Sequence, residues 1–163
     1  MPGSDAFKES CILPRIYTVA FFLIGNYNKR MITIDEAMEM LDDIYDELPV
    51  DFHKDLNGGV ILSPEMKMHP ASDGNLPLYI LGEYHSQPRG LGRFIIIYYG
   101  SFAKAFSYLQ PQQLREKLRK TLLHEFTHHL ESLAGERGLE IEDARRLARY
   151  KHRPNNQKKS RYF

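Results

Sequence analysis

A single cysteine, Cys11, is all the thiol chemistry this 163-residue chain holds. One thiol excludes an intramolecular disulfide. With no second cysteine nearby it also excludes a cysteine-built zinc site. No stretch reaches the 18 apolar residues that a spanning helix needs, so no membrane partner is expected. Charge of neither sign prevails: 22 basic and 21 acidic residues give a net +1, which argues neither for nor against a nucleic-acid partner. There is no internal repeat. What remains is an ordinary globular composition, 42% hydrophobic and 26% charged. The length suits one domain with its own core, and the cytoplasm is the expected compartment.

One stretch carries chemistry. His124-Glu125-Phe126-Thr127-His128 is an H-E-x-x-H. On a helix, two histidines four residues apart project from one face and can bind a single divalent metal. Glu125, the next residue round, is then placed as general base for a metal-activated water. So short a motif can arise by chance, and its surroundings must decide. Pro111 suits a first helical turn, no Gly or Pro interrupts residues 112–134, and Gly135 suits a terminator. At 100° per residue, Leu114, Leu118, Leu122, Phe126, Leu130 and Leu133 share one arc. His124 and His128 fall nearly opposite, with Glu125 at the edge between. Such a helix buries its leucines and turns both imidazoles toward a cleft. Neutral imidazole suits Zn2+, and the reaction this set fits is amide hydrolysis.

The third ligand is open at the level of sequence. Glu131 shares the histidine stripe but lies about 4.5 Å beyond His128 along the axis. It reads as a neighbour of the site, or as exposed, rather than as a ligand. The chain can turn at residues 135–138, and residues 141–147 read as the next helix. A carboxylate from its first turn can approach the metal from another direction. Asp143 is favoured, with Glu142 and Glu140 as alternatives. His129 points about 100° away from His128 and suits packing or hydrogen bonding at least as well as catalysis.

The rest of the chain reads as α+β. Residues 1–30 form an extension whose apolar run, 16–24, resembles a buried strand or docked helix more than a signal peptide, and Met31 is an alternative start. Thr33 and Glu36 match a capping box, opening a helix that Pro49 ends. A strand is expected near residues 60–62, a loop over 63–77, and two strands at 78–84 and 93–99 across a Gly/Pro turn. A short helix within 101–109 precedes the long one. The domain is expected over 31–153, with a basic tail at 154–163.

The block Leu122-Leu123-His124-Glu125-Phe126-Thr127-His128-His129 resembles the H-E-x-x-H-H of small bacterial zincin-like metallopeptidases. Upstream, Asp46-Glu47-Leu48-Pro49, Leu81-Gly82-Glu83-Tyr84 and Ile95-Ile96-Ile97-Tyr98-Tyr99 follow in the order of that family's segments. The likeness spans roughly residues 31–153. It implies a compact zincin-like domain, a small sheet packed on helices, and an edge strand bordering the cleft. It further implies His124 and His128 as zinc ligands, Glu125 as general base, and a peptide or protein substrate. Asp143 is the counterpart of the family's acidic ligand. The chain departs from the pattern at Glu131, where the family has Gly, and by extra residues before Asp143. The alternative function is a metal-stabilised binding domain without turnover.

Two further features invite readings. Tyr98 and Tyr99, expected to close the edge strand, and the pair Tyr84-His85 suit packing, or less readily an oxyanion donor. Arg145, Arg146, Arg149, Lys151, His152, Arg153, Lys158, Lys159 and Arg161 make a basic C-terminus, read as a solvated helix end and tail.

Overall fold

In a computed structural model the described residues are 31–72, 77–87, 90–152 and 161–162, the last two as backbone only. The extension 1–30 and most of the basic tail lie outside them.

Thr33 opens the first helix, α1 (Ile34–Asp46), by the reciprocal bonds that its sequence promises. The Glu36 N–H donates to Thr33 Oγ1 at 3.3 Å, and the Thr33 N–H donates to Glu36 Oε2 at 2.8 Å. Ala37, Leu41 and Ile44 line its buried face. A 3-10 turn (Val50–His53) follows Pro49 and leads to strand β1 (Gly59–Ser63).

Two departures from the sequence reading shape the sheet. Residues 63–77 read as loop, yet Lys67–Met68 forms a short strand, β2. Residues 78–84 read as one strand, yet they divide into β3 (Leu78–Ile80) and β4 (Gly82–Gln87). The cause is visible in burial. Ile80, Leu81 and Gly82 are buried in succession, and neighbouring residues of one flat strand cannot all face one core. The chain turns at Leu81, whose carbonyl accepts the Tyr98 N–H at 2.8 Å, and passes from one sheet to the other.

The principal sheet has the order β1-β5-β4, with β5 (Gly92–Tyr98) parallel to β1 and antiparallel to β4. This corrects the placement of Tyr98 and Tyr99 on an edge. β5 is central, which suits its continuous apolar run, and Tyr99 already belongs to helix α2 (Tyr99–Ala105). The edge beside the long helix is β4. A second sheet joins β2 antiparallel and β6 (Arg161–Tyr162) parallel to β3, so part of the segment read as a solvated tail pairs as a strand.

The long helix α3 (Pro111–Ala134) starts at Pro111, as expected, and Gly135 ends it in the left-handed conformation at φ 72°. Leu114, Leu118, Leu122 and Phe126 join Leu41 and Ile44 of α1, Ile95 and Ile97 of β5, and Phe102 of α2 in one core. Burial of each such side chain contributes about 1.5–3 kcal/mol. Glu47, just past α1, pairs with Arg115 and Arg119 of α3. Helix α4 (Gly138–Lys151) follows a short link and begins three residues earlier than its sequence suggests.

Candidate metal centre

Two successive helices bring the candidate ligands together. His124 and His128, one turn apart on α3, both direct Nε2 at Asp143 Oδ2 of α4, at 3.1 Å each. These three donor atoms lie within 4.8 Å of one another and form the described residues' one group of this kind. The two rings stand edge to face, 87° apart. Because α4 starts at Gly138, Asp143 sits in its second turn rather than its first. Asp143 remains the carboxylate beside the histidines, while the other candidates point elsewhere. Glu140 pairs with Arg137 at 2.7 Å, and Glu142 is exposed. Glu131 accepts the Leu139 N–H on both oxygens.

Electrostatics follow from this geometry. Burial alone would raise the Asp143 carboxyl, but hydrogen bonds from His124 and His128 outweigh it and hold the acid far below the usual range. The bond to Asp143 raises the affinity of His128 for its proton. Asp143 Oδ1 is buried without a hydrogen-bond partner, 3.7 Å from the Arg146 guanidinium. Two imidazole nitrogens converging on one carboxylate oxygen, Asp143 Oδ2, make a donor set that suits a divalent ion.

Glu125, at the edge of the leucine arc on the helical wheel, is buried. It is 4% exposed, and burial pushes its carboxyl up to about 7, opposed in part by His124, His128 and the Tyr84 N–H. The close approach of β4 causes this. A Cβ on Gly82 would lie 2.9 Å from Thr121 Cγ2 and 3.0 Å from Glu125 Cγ. Any larger residue here would force Thr121 or the strand to shift. Sequence reasoning weighed Tyr84 only as packing or an oxyanion donor and missed Gly82, although a glycine inside a strand pattern does signal close backbone approach.

His129 is fully buried and reaches to the other side of the helix. Its Nε2 donates to the Lys54 carbonyl at 2.8 Å, so Nδ1 is the acceptor for the Tyr84 hydroxyl at 3.5 Å. The remaining tyrosines have other duties. Tyr98 donates to Glu83 at 2.5 Å and accepts from Lys67 at 3.1 Å, while Tyr99 donates to the Ile32 carbonyl. The basic residues of α4, Arg145, Arg149 and Lys151, are exposed.

A mixed sheet, a helix bearing H-E-x-x-H beneath its edge strand, and an acid from the next helix define a zincin-like architecture. Residues 62–149 match the profile of the zincin-like metallopeptidase family. That is more than half of the sequence and includes His124, Glu125, His128 and Asp143, and the chain belongs to this family. A solved structure of a conserved hypothetical protein from Thermo thermophilus is similar to it at 36% identity and a TM-score of 0.51. The similarity covers 63% of this chain and 98% of that one. No curated protein matches the chain. No helix among the described residues is long and apolar enough to cross a membrane.

Proposed function

We propose that this protein is a zinc-dependent peptidase that hydrolyses peptide bonds with Glu125 as general base. The observation supporting the reading is the convergence of His124 Nε2, His128 Nε2 and Asp143 Oδ2 beside a buried carboxyl. These three residues would hold the ion, and two neutral imidazoles with one carboxylate suit Zn2+ with a position left open. When bound, zinc supplies Lewis acidity, lowering the pKa of a water to about 7 and polarising a carbonyl.

The chain's own residues perform the proton transfers. Glu125, buried beside the donor cluster, is the carboxyl placed to move protons there. Its ionised form accepts the proton of the attacking water, and its acid form returns that proton to the leaving amine. The Tyr84 N–H favours the ionised form and steadies its orientation. The Lys54–His129–Tyr84 contacts brace the helix against the strand from the opposite side. The outer edge of β4 is suited to an extended peptide, aligned by backbone hydrogen bonds.

The test is a comparison of wild type and Glu125→Gln on a peptide library, with zinc content measured on both. Expected is one zinc per chain in each and cleavage by wild type alone. Stoichiometric zinc with no cleavage by either protein supports a metal-stabilised binding domain instead. Absence of zinc after titration removes the proposal altogether.

A further inference from the structure

Glu131 occupies a place that neither the donor cluster nor the proton path uses. Its carboxylate accepts the Leu139 N–H from α4, at 3.1 Å to Oε1 and 2.9 Å to Oε2. Leu139 lies in the first turn of α4, where backbone N–H groups have no partner within the helix. The N-cap residue, Arg137, provides no side-chain cap. Glu131 therefore caps the next helix from the previous one. Gly138 makes room for it, since a Cβ there would stand 3.2 Å from Glu131 Oε1.

We propose that Glu131 is a positioning residue for the metal centre: by gripping the first turn of α4 it sets Asp143 against His124 and His128. This rests on the zinc-binding reading above. The geometry is that of a ladder with two rungs. On α3, Glu131 follows His128 by three residues, about 4.5 Å along the axis. On α4, Asp143 follows Leu139 by four residues, about 6 Å. One rung is the carboxylate-to-amide bond, and the other is the donor cluster itself. Apolar packing does little to fix α4 otherwise, because Tyr150, near its far end, is its one buried residue. A shift of the first turn thus passes directly to Asp143. Ligand placement depends on such supporting contacts, and losing one typically weakens metal affinity about 10- to 100-fold.

Reach distinguishes this role from a general attraction of the negative charge for a cation. Glu131→Gln removes the charge but keeps an acceptor at the same distance. Glu131→Asp keeps the charge but falls a methylene short of Leu139. Zinc affinity of the full chain is measured by competition with a chromophoric chelator. Expected is a loss of about tenfold for Glu131→Asp and Glu131→Ala, and a change within about threefold for Glu131→Gln. On an Asp143→Ala background, Glu131→Ala adds less than about twofold, because the residue it positions is gone. Amide hydrogen exchange at Leu139 in zinc-free protein gives a second readout: protection is lost in Glu131→Asp and kept in Glu131→Gln.

Wild-type affinity in Glu131→Asp with loss in Glu131→Gln would overturn the proposal in favour of charge alone. An equal loss with and without Asp143 would overturn it in favour of general destabilisation. If wild type binds no zinc, the peptidase reading falls and takes this one with it. If wild type binds zinc tightly and all three variants match it, only the role of Glu131 is lost.

Discussion

The backbone N–H of Tyr84, on the edge strand, donates to the carboxylate of Glu125, on the helix beneath it. That strand amide favours the ionised form of the proposed base. This contact exists only because Gly82, two residues earlier, brings the strand against Thr121 and Glu125.

Gly82→Ala is accordingly expected to disturb the site as well as the fold. The new methyl would meet Thr121 Cγ2 at 2.9 Å, and over-packing of this kind costs about 1–3 kcal/mol. Urea denaturation of the zinc-free protein measures the loss. Cleavage should fall further than stability, because Glu125 is displaced from Tyr84 while His124 and His128 are not. Unchanged stability and unchanged cleavage would show that the strand can retreat freely.

His129→Phe tests the brace. The ring is retained, but the Lys54 carbonyl loses its donor and the Tyr84 hydroxyl its acceptor. Leaving a buried polar group without a partner costs about 1–3 kcal/mol. The same denaturation experiment reads it, and zinc stoichiometry should stay at that of wild type. A variant as stable as wild type would mean that water replaces the lost partners.

Asp143→Asn keeps the shape of the third donor and removes its charge. Zinc affinity is expected to fall by about 100-fold or more, at the upper end of what even supporting residues cost. Glu142→Gln and Glu140→Gln, both exposed on the same helix, should leave affinity within about twofold. A chelator competition assay that ranks the three otherwise would reassign the carboxylate ligand.

A pH dependence follows from the seam between the two sheets. Burial raises the Glu83 carboxyl, but bonds from Lys67 and Tyr98 outweigh this and hold it below its ordinary 4.5. The Glu83 bond raises Lys67 above its ordinary 10.5. A depressed acid stabilises the fold above its unfolded pKa, and that contribution is lost as the pH falls through the folded value. A raised base stabilises below its unfolded pKa, and its contribution is lost as the pH rises through the folded value. The pair thus supports the fold between about pH 4.5 and 10.5. Solvent screens Lys67, so the contribution is about 1 kcal/mol or less. Stability profiles of wild type and Lys67→Met, both with chelator present, should differ inside that window and converge below it. Parallel profiles at every pH would remove the ion pair as the cause.

Much of this is legible in the letters, and the reasons for the rest are physical. Local rules locate Thr33 with Glu36, Pro111 and Gly135, because a cap needs only its neighbours. Periodicity separates Leu118 and Leu122 from His124 and His128 for the same reason. The long-range arrangement is not legible. That β5 is central, that the chain changes sheets at Leu81, and that Gly82 lies against Glu125 all depend on partners remote in sequence. Glu131 is the instructive residue. On the helical wheel it shares the stripe of the ligands, but whether it faces a metal or another helix depends on where α4 begins. The first turn of α4 lacks an ordinary capping residue, so the sequence places its start too late.

The short link between α3 and α4, residues 135–137, has a consequence for how the protein is assembled. His124 and Asp143 are only 19 residues apart, so every atom of the donor cluster belongs to one helical hairpin. Contacts this local form early in folding. On the zinc-binding reading, newly made chain can capture its ion before the sheet exists, whereas Glu125 is buried only once Gly82 and Tyr84 arrive from the distant strand.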